Sequence, residues 1–439
     1  MFFLCLIVIC LYLNEFTLAF APTNTVWGHS AVYADSKIFI TGGLYPQSPT
    51  SFNGVTFSKE YYYLDVKNSF GVGAGDPIPW VDLSSVSQIL PTHAWSAFLN
   101  CGLNDTIILY IGEYGTPATA NVANSVYTYR ISSQLWSNPT TINPPRFNLH
   151  SSSQTVCDVN TGKMYRFSGN QPAGTNPPPV INNMDILDTS TLTWRTGSTV
   201  NAPEGRFDHT GTLLPNGYIV YIGGTLASGG TADMSKLPLY SINDDTWTTT
   251  NVPGYSPTPR AYHSAVLTQD GRIIVYGGVT GNGAAIDDLV VLDTSQTVYT
   301  WSKANVTTNS PLSRFYHTAT LVGDYMIVVF GRNNLYLPPP TSNEVFILDT
   351  SDKTNYKWVR DFDPNPKPPT PSTTSDSSNS NSNSSDLNKN ISDQNKGLTI
   401  GIIILSIVIA LIGISFLIYF YRKRRLARPD MLVSGENDK

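Results

Sequence analysis

The chain has 439 residues, of which 13% are charged and 11% aromatic, with 33 Gly, 30 Pro and a formal net charge of -5. The charged fraction is near half the usual value of about 25%, which excludes a long coiled coil. The acidic balance argues against a nucleic-acid binder. Such a composition is typical of turn-rich, aromatic β-structure, so we expect an all-β fold.

The N-terminal segment is an uncharged apolar run from Phe2 to Leu13, followed by Thr17-Leu18-Ala19. The run is too short to span a bilayer, which needs about 20 helical residues. Small residues follow it where a signal peptidase would cleave. We interpret residues 1–19 as a secretory signal peptide, which places the rest of the chain outside the cytoplasm.

Three residue types recur through the middle of the chain with one shared period of about 55 residues. The histidines are His29, His93, His150, His209, His263 and His317. The tryptophans of the series are Trp80, Trp136, Trp194, Trp247, Trp301 and Trp358, and glycine pairs such as Gly42-Gly43, Gly223-Gly224 and Gly277-Gly278 keep step. Periods near 50 residues indicate the blades of a propeller.

One repeat reads clearly from 260 to 301. Arg260-Ala261-Tyr262-His263-Ser264 opens a strand, Gly277-Gly278 ends a second, Asp288 to Asp293 form a third, and Trp301 marks a fourth. Short strands between Gly-rich turns predict a four-stranded meander. Six meanders packed face to face around an axis cover one another's apolar faces, so the sequence predicts a six-bladed β-propeller over residues 20–360.

The order Arg-x-x-His-Ser/Thr, apolar strand, Gly-Gly, Asp-Leu-x-x-Leu-Asp and Trp resembles the kelch repeat. The resemblance covers about 22–360 and is weaker in blade 1, where no Arg precedes His29, and in blade 2, where Gly112-Glu113 replaces the glycine pair. It implies a propeller related to galactose oxidase and the attractin-type propellers. The whole layout resembles the secreted, membrane-anchored kelch proteins common in fungi.

The repeated residues suggest structural roles first. We expect one histidine at the same first-strand position of every blade, with its imidazole bonding backbone between blades rather than a metal. We expect the tryptophans to pack between blades. A series of arginines precedes four of the histidines: Arg146, Arg206, Arg260 and Arg314. These arginines either form hydrogen bonds between blades or form an arc of positive charge that binds an anionic ligand near the channel.

Two cysteines remain after the signal peptide, and Cys101 and Cys157 occupy matching places in neighbouring blades. They suggest a disulfide between blades 2 and 3, with two free buried thiols as the alternative. Four sequons are candidate glycosylation sites: Asn104, Asn305, Asn383 and Asn390.

The C-terminal part departs from the repeat. Residues 361–397 are Pro-rich and then Ser/Asn-rich, which predicts a disordered stalk. The apolar run from Leu398 to Tyr421 is long enough to cross a membrane, and Arg422-Lys423-Arg424-Arg425 follows it directly. We therefore expect a single-pass type I membrane protein with a transmembrane helix at 398–421 and a short basic tail at 422–439, close to anionic lipid.

We weigh three functions. The first is a protein- or glycan-binding module, because long insertions in blades 1 and 6 carry aromatic residues that would form one patch after ring closure: Tyr45, Phe52, Phe57 and Tyr336. The second is a copper-radical oxidase of the galactose oxidase type, whose pattern includes pairs such as Tyr262-His263 and Tyr316-His317. The third is a structural or adhesion protein at the cell surface. The sequence favours binding without catalysis and predicts no resident cofactor or metal.

Overall fold

The computed structural model describes residues 20–48, 51–102, 105–115, 125–145, 155–170, 180–281, 283–285, 287–333 and 344–365. All regular structure within these ranges is β-strand. The main strands form six antiparallel sheets of four strands each, and every sheet follows the order of the chain. These sheets are the six blades of a β-propeller, as the repeat predicts.

The strands of each blade run outwards from the central axis, the innermost coming first. Blade 1 has Ser30–Ala34, Lys37–Thr41, Tyr61–Asp65 and Trp80–Asp82; blade 2 has Ala97–Asn100, Thr106–Tyr110, Val126–Arg130 and Leu135–Ser137; blade 3 has Thr155–Asp158, Lys163–Phe167, Met184–Asp188 and Thr193–Thr196. Blade 4 has Thr210–Leu213, Tyr218–Ile222, Lys236–Ser241 and Thr246–Asn251; blade 5 has Ser264–Leu267, Arg272–Tyr276, Leu289–Asp293 and Thr300–Lys303; blade 6 has Thr318–Val322, Tyr325–Val329, Val345–Asp349 and Lys357–Val359.

The second and third strands are nearly continuous apolar runs because both of their faces are covered. Arg272–Tyr276 of blade 5, for example, is buried at all five positions. The apolar clusters lie between the blades, and each of the six large clusters joins two neighbours around the ring, including blade 6 with blade 1. The core is therefore a ring of interfaces that no blade could form alone.

The tryptophan of each outermost strand packs against the preceding blade, as predicted. Five rings meet an aromatic ring of that blade, with centroid distances of 4.6–5.7 Å: Trp80 with Phe330, Trp136 with Tyr61, Trp194 with Tyr110, Trp247 with Phe167 and Trp358 with Tyr276. In the sixth case Trp301 donates from its indole N–H to the carbonyl of Met234, at 2.7 Å. The repeat of Trp is thus a repeated packing solution.

The ring closes between blades 6 and 1, and each of these two blades takes its four strands from one continuous stretch of the chain. The N–H of Gly331 donates to the carbonyl of Val26 at 3.2 Å, and Phe70–Gly71 pairs with Asp361–Phe362. Phe362 is 1% exposed, so the folded unit extends two residues past the predicted end at 360. A single aromatic residue at the start of a Pro-rich stretch anchors this end of the chain on blade 1.

One expectation about the histidines is wrong. We call the position of His209, His263 and His317 the anchor of a blade. In blades 3, 4 and 5, the glycine that follows the second strand donates its N–H to the carbonyl of the residue three places before the next anchor: Gly169 to Arg206, Gly224 to Arg260 and Gly278 to Arg314. The matching bond of blade 1 runs from the N–H of Gly43 to the carbonyl of His93. His93 therefore occupies the position of Arg206 and Arg260, and Ser96 stands at the anchor of blade 2. Residue identity misled the alignment, because the backbone register places His93 three residues too early.

Several predicted segments lie outside the described residues: the signal peptide at 1–19, most of the stalk, the span at 398–421 and the tail at 422–439. Within the described ranges no helix has the length and apolar character needed to cross a membrane. The predictions for the two ends of the chain stay predictions.

Candidate functional site

The two ends of the propeller axis differ in construction. At one end, which we name the turn face, short turns join strands 1 to 2 and 3 to 4 of each blade. At the other end, the mouth face, innermost strands begin and second strands end. Two-stranded ladders extend the mouth face in four blades: Leu44–Ser48 with Ser51–Phe57, His93–Ala94 with Glu113–Tyr114, Arg206–Phe207 with Thr225–Leu226, and Val279–Thr280 with Gly283–Ala284.

A belt of five residues surrounds the channel on the mouth face, each just before the anchor position of its blade: Gly28, Trp95, Asp208, Tyr262 and Tyr316. All five have φ between 47° and 62°. Their backbones form a hydrogen-bonded chain in which Trp95 donates to Gly28 at 2.8 Å, Gly28 to Tyr316 at 3.0 Å, Tyr316 to Tyr262 at 3.2 Å and Tyr262 to Asp208 at 3.0 Å. The counterpart from blade 3 lies outside the described residues.

This backbone conformation is costly for residues with a Cβ atom, by about 1–2 kcal/mol each. Glycine or asparagine would adopt it with less strain, yet blades 2, 5 and 6 hold Trp95, Tyr262 and Tyr316 there. Strained backbone tends to cluster at functional sites. The belt therefore marks the channel mouth as the first place to look for a site.

A cavity of about 250 Å³ opens at the belt. Its described lining includes Trp95, Tyr262 and Tyr316, the carboxylate of Asp208, four anchor histidines, and small or hydroxyl-bearing residues of the innermost strands. Tyr262 and Tyr316 lie with ring centroids 4.3 Å apart, and Trp95 lies 6.1 Å from Tyr316. The cavity is thus rimmed by aromatic rings and carries one carboxylate.

Asp208 and the two tyrosines are electrostatically coupled. Burial raises the pKa of Tyr262 to about 12, and the negative charge of Asp208 adds to this shift. Burial also raises the pKa of Tyr316, again with a contribution from Asp208. Both phenols therefore stay protonated at neutral pH and can donate to the carboxylate or to a ligand.

The anchor histidines bond side-chain hydroxyls rather than the predicted backbone groups. Nε2 of His263 lies 3.0 Å from Oγ1 of Thr210, and Nε2 of His317 lies 2.7 Å from Oγ of Ser264. Nε2 of His29 lies 2.9 Å from Oγ1 of Thr318, which joins blade 1 to blade 6. Each histidine thus meets the Ser or Thr that follows the anchor of a neighbouring blade. Burial lowers the pKa of all three.

The described arginines of the second series point away from the cavity. Arg206, Arg260 and Arg314 are buried, and their guanidinium groups donate to the carbonyls of Gly223, Gly277 and Phe330 in their own blades. Arg260 also pairs with Asp287, and Arg314 lies 3.7 Å from Glu344. None of the three lines the cavity, so they form no arc of positive charge around it. We assign them a structural role, and anion binding by this series stays a prediction that their burial disfavours; Arg146 lies outside the described residues.

The glycine pairs supply the close contacts that this arrangement needs. Gly277 has φ of +71°, and a Cβ atom there would stand 2.1 Å from the carbonyl oxygen of Arg314. Any larger residue would push blade 6 away from blade 5.

Cys101 and Cys157 are joined by a disulfide with their Cα atoms 5.2 Å apart, so blades 2 and 3 are covalently linked near the turn face. Of the four sequons, Asn305 alone lies in the described ranges, where its side chain is exposed and its amide donates to the carbonyl of Thr354 at 2.8 Å. Asn104, Asn383 and Asn390 lie outside these ranges.

The predicted aromatic patch is seen only in part. Tyr45 and Phe57 are partly buried, Tyr45 against the blade 6–blade 1 cluster and Phe57 against Trp27, Leu44 and Ala94. Phe52 belongs to the strand Ser51–Phe57, but its side chain and the whole of Tyr336 are outside the described set. The two described aromatics of the hairpin thus pack on neighbouring apolar residues, and their contact with a ligand stays a prediction.

Comparison with known proteins agrees with this architecture. The model of the KLHDC2/KLHL20/DRC7 Kelch-repeats domain matches residues 28–270 and 209–383, which together span most of the chain. The chain belongs to the kelch-repeat family. Kelch propellers are typically protein-interaction modules.

Relatives of this kelch protein are similar over parts of their length. Adagio-like protein 1 of Oryza sativa subsp. japonica is 30% identical over 41% of the chain and 28% of its own length. Acyl-CoA-binding domain-containing protein 5 of Arabidopsis thaliana is 25% identical over 76% of the chain and 48% of its own length. An F-box/kelch-repeat protein of the same plant is 26% identical over 41% of the chain and 38% of its own length. The chain therefore spans less than half the length of each. All three are plant proteins, and the predicted likeness to fungal proteins stays untested.

The residues of the kelch propeller do not fit the copper alternative. Nε2 of His263 and of His317 is already bonded to a hydroxyl, and burial disfavours a charge beside either ring. Across the described ranges no group of three or more His, Cys, Asp or Glu could hold a metal ion. Cys101 and Cys157 are held in their disulfide, so neither can form the Cys–Tyr link that such a copper site would need.

Sequence reasoning missed three members of the belt, Gly28, Trp95 and Asp208. It noted Tyr262 and Tyr316 only as half of a Tyr-His pair. The signal was present, because the residue before the anchor differs in chemistry from blade to blade while its neighbours repeat. Finding Trp95 required the register of blade 2, which His93 concealed.

Proposed function

We propose that this chain is a membrane-anchored kelch propeller that binds a protein partner on the extracytoplasmic side, through its mouth face and without catalysis. The observation that carries the proposal is the belt, which places aromatic and acidic side chains in strained backbone around an open cavity. The turn face has no counterpart to it among the described residues: in blades 1, 3, 5 and 6 the third strand ends there in a turn-capping aspartate.

The membrane anchor and its orientation rest on the sequence. Leu398 to Tyr421 is an uncharged run, and Arg422-Lys423-Arg424-Arg425 follows it directly. Basic residues at one end of such a span favour the cytoplasmic side for that end. The apolar run at Phe2–Leu13 supports export of the propeller, and the disulfide between Cys101 and Cys157 is consistent with an oxidising compartment.

A photo-crosslinking experiment on intact cells tests both parts. One full-length variant carries benzoylphenylalanine at Val55 in the hairpin of blade 1, which is 40% exposed on the mouth face. A matched variant carries it at Leu135 on the turn face, which is 66% exposed. We expect a discrete protein adduct from position 55 and none from position 135, with the adduct accessible to a protease added outside the cell.

Equal adducts from both positions, or an adduct from position 135 alone, would contradict binding at the mouth face. An adduct from position 55 that external protease cannot reach would contradict the location. A glycan partner would leave position 55 without a protein adduct, and no described contact favours that outcome over a protein.

A further inference from the structure

The cavity at the belt has an uncommon charge pattern. Asp208 is the only carboxylate among its described lining residues, and no Lys or Arg belongs to that lining. Four histidines also line the cavity, His29, His209, His263 and His317, and burial lowers the pKa of each so that all four are neutral. The described wall therefore has a net negative charge, which it owes to Asp208.

One arginine of the mouth face, Arg332, packs on aromatic rings. The guanidinium of Arg332 lies over the rings of Trp27 and Phe315, at 5.1 and 5.4 Å from their centroids. Arg332 is not a lining residue of the cavity. Its charge acts on Tyr316 of the belt, while the charged residue of the described lining itself is Asp208.

Two tyrosines interact with the carboxylate of Asp208, and Trp95 belongs to the same lining. Tyr262 and Tyr316 form a close pair, and Trp95 lies next to Tyr316. The faces of such rings attract cations, and a carboxylate beside them strengthens that preference. An anion would be repelled by Asp208, whereas an apolar group in the cavity would remove water from the carboxylate without adding a favourable interaction to its charge.

We propose that this cavity accepts the cationic side chain of a partner protein, a lysine or an arginine, with Asp208 pairing the charge and the rings of Trp95, Tyr262 and Tyr316 packing around the aliphatic stem. The inference rests on the proposed function, because it names the chemical feature by which the mouth face would recognise its partner. A side chain that enters an open cavity of about 250 Å³ leaves room for water around its charged end.

Substitution of Asp208 can be matched to a control. Asp208 and Asp35 both have positive φ, 57° and 51°, and asparagine tolerates this conformation well. Asp35 lies in the turn between the first two strands of blade 1, on the turn face, where it pairs with Lys37. Asp208→Asn and Asp35→Asn thus remove one carboxylate each, at opposite ends of the propeller axis. Both replacements must adopt a positive φ.

The test measures binding of two fluorescent peptides to the full-length protein in detergent, Ac-Gly-Ser-Lys-Ser-Gly-amide and the same peptide with Gln in place of Lys. We expect the Lys peptide to bind about tenfold more tightly than the Gln peptide, by charge pairing and cation–π contact. Asp208→Asn should abolish this preference and Asp35→Asn should retain it. Tyr316→Leu should weaken the Lys peptide severalfold while its effect on the Gln peptide stays small.

Equal affinity for the two peptides, no binding of the Lys peptide up to its solubility limit, or a preference that survives Asp208→Asn would each overturn the inference. The unfolding midpoint of every variant is measured in parallel, so that loss of binding by a misfolded chain is recognised. If Asp208→Asn does not fold, the inference is judged on the effect of Tyr316→Leu on the affinity for the Lys peptide. If position 55 still crosslinks a protein while the Lys preference is absent, the inference fails and the proposed function stands.

Discussion

The third strands of blades 1, 3, 5 and 6 end on the turn face in an aspartate, whereas the belt on the mouth face differs from blade to blade. Each of those aspartates accepts the N–H two residues later, at 2.9–3.0 Å: Asp65 from Lys67, Asp188 from Ser190, Asp293 from Ser295 and Asp349 from Ser351. The belt instead holds Gly28, Trp95, Asp208, Tyr262 and Tyr316 in one shared backbone conformation.

This difference separates two uses of a repeated position. Where a side chain makes the same hydrogen bond in several blades, the chain repeats the residue that supplies it. Where the backbone alone makes the repeated bond, the side chain is free to vary and to meet a ligand. Repeated residues should therefore matter for stability, and the belt should matter for binding.

Acidification should test the repeated histidines with the largest effect. Burial lowers the pKa of His29, His209 and His263 to about 3 in the folded chain, against about 6.5 in an unfolded one. Below pH 6.5 the unfolded chain therefore binds protons that the folded chain does not, and stability falls as the pH drops from 6.5 towards 4. Each histidine should contribute about 1.4 kcal/mol per pH unit.

Urea denaturation at pH 7.5, 6.0 and 5.0 measures this slope. His263→Gln keeps a partner for the hydroxyl of Thr210 and should reduce the slope by about 1.4 kcal/mol per pH unit. A stability that is level between pH 7.5 and 5.0 would show that these imidazoles are not held neutral by burial.

The ion pair of blade 5 should show the next largest effect. Asp287 accepts from the hydroxyl of Tyr255 at 2.6 Å and the N–H of Thr258 at 2.9 Å, and it pairs with Arg260. Asp287→Ala leaves Arg260 buried without a carboxylate, and we expect a loss of about 3–5 kcal/mol in denaturant unfolding. Replacing both partners, as Arg260→Met with Asp287→Leu, should recover most of it. A loss no smaller in the double variant would argue against the pair as the cause.

The disulfide should contribute less. Cys101 and Cys157 are separated by 56 residues, and closing a loop of this size in the unfolded chain is worth about 2–4 kcal/mol. Replacing both by Ala should lower the free energy of unfolding by that amount, measured under oxidising conditions. Crosslinking from position 55 should continue in this variant, because the disulfide lies between blades near the turn face. Loss of the crosslinked adduct would show that the mouth face depends on the disulfide.

The smallest effect belongs to one turn-capping aspartate. Asp293 accepts the N–H and the hydroxyl of Ser295, at 2.9 and 2.6 Å. Asp293→Ala should cost about 1 kcal/mol, and Asp293→Asn, which keeps an acceptor oxygen, should cost less. Both variants should bind the Lys peptide like the unchanged protein. Altered binding of the Lys peptide would contradict the separation between stabilising residues on the turn face and binding residues on the mouth face.

The sequence predicts the blades well because their markers are local. His263, Gly277 and Trp301 each stand at a fixed place along one meander, and packing between similar units favours the same residue types in most blades. The number of blades and the inter-blade role of Trp follow from the period alone.

The site is harder to predict because it depends on register and on closure. The backbone bond from Gly43 to His93, which reassigns the anchor of blade 2 to Ser96, has no mark in the sequence. The approach of Tyr262 to Tyr316 depends on how blades 5 and 6 tilt. The outward direction of Arg260 depends on Asp287, a partner 27 residues away.

A belt-neutral variant tests the central claim most directly. Asp208→Asn, Tyr262→Asn and Tyr316→Asn together place residues that tolerate positive φ at these positions, and they remove the charge and the two tyrosine rings while Trp95 stays. We expect the full-length variant to lose no more than about 2 kcal/mol of stability, because relief of backbone strain offsets part of the lost packing. It should also lose the protein adduct from position 55. A variant that unfolds would make the belt part of the framework, and one that keeps its adduct would show that the partner binds elsewhere.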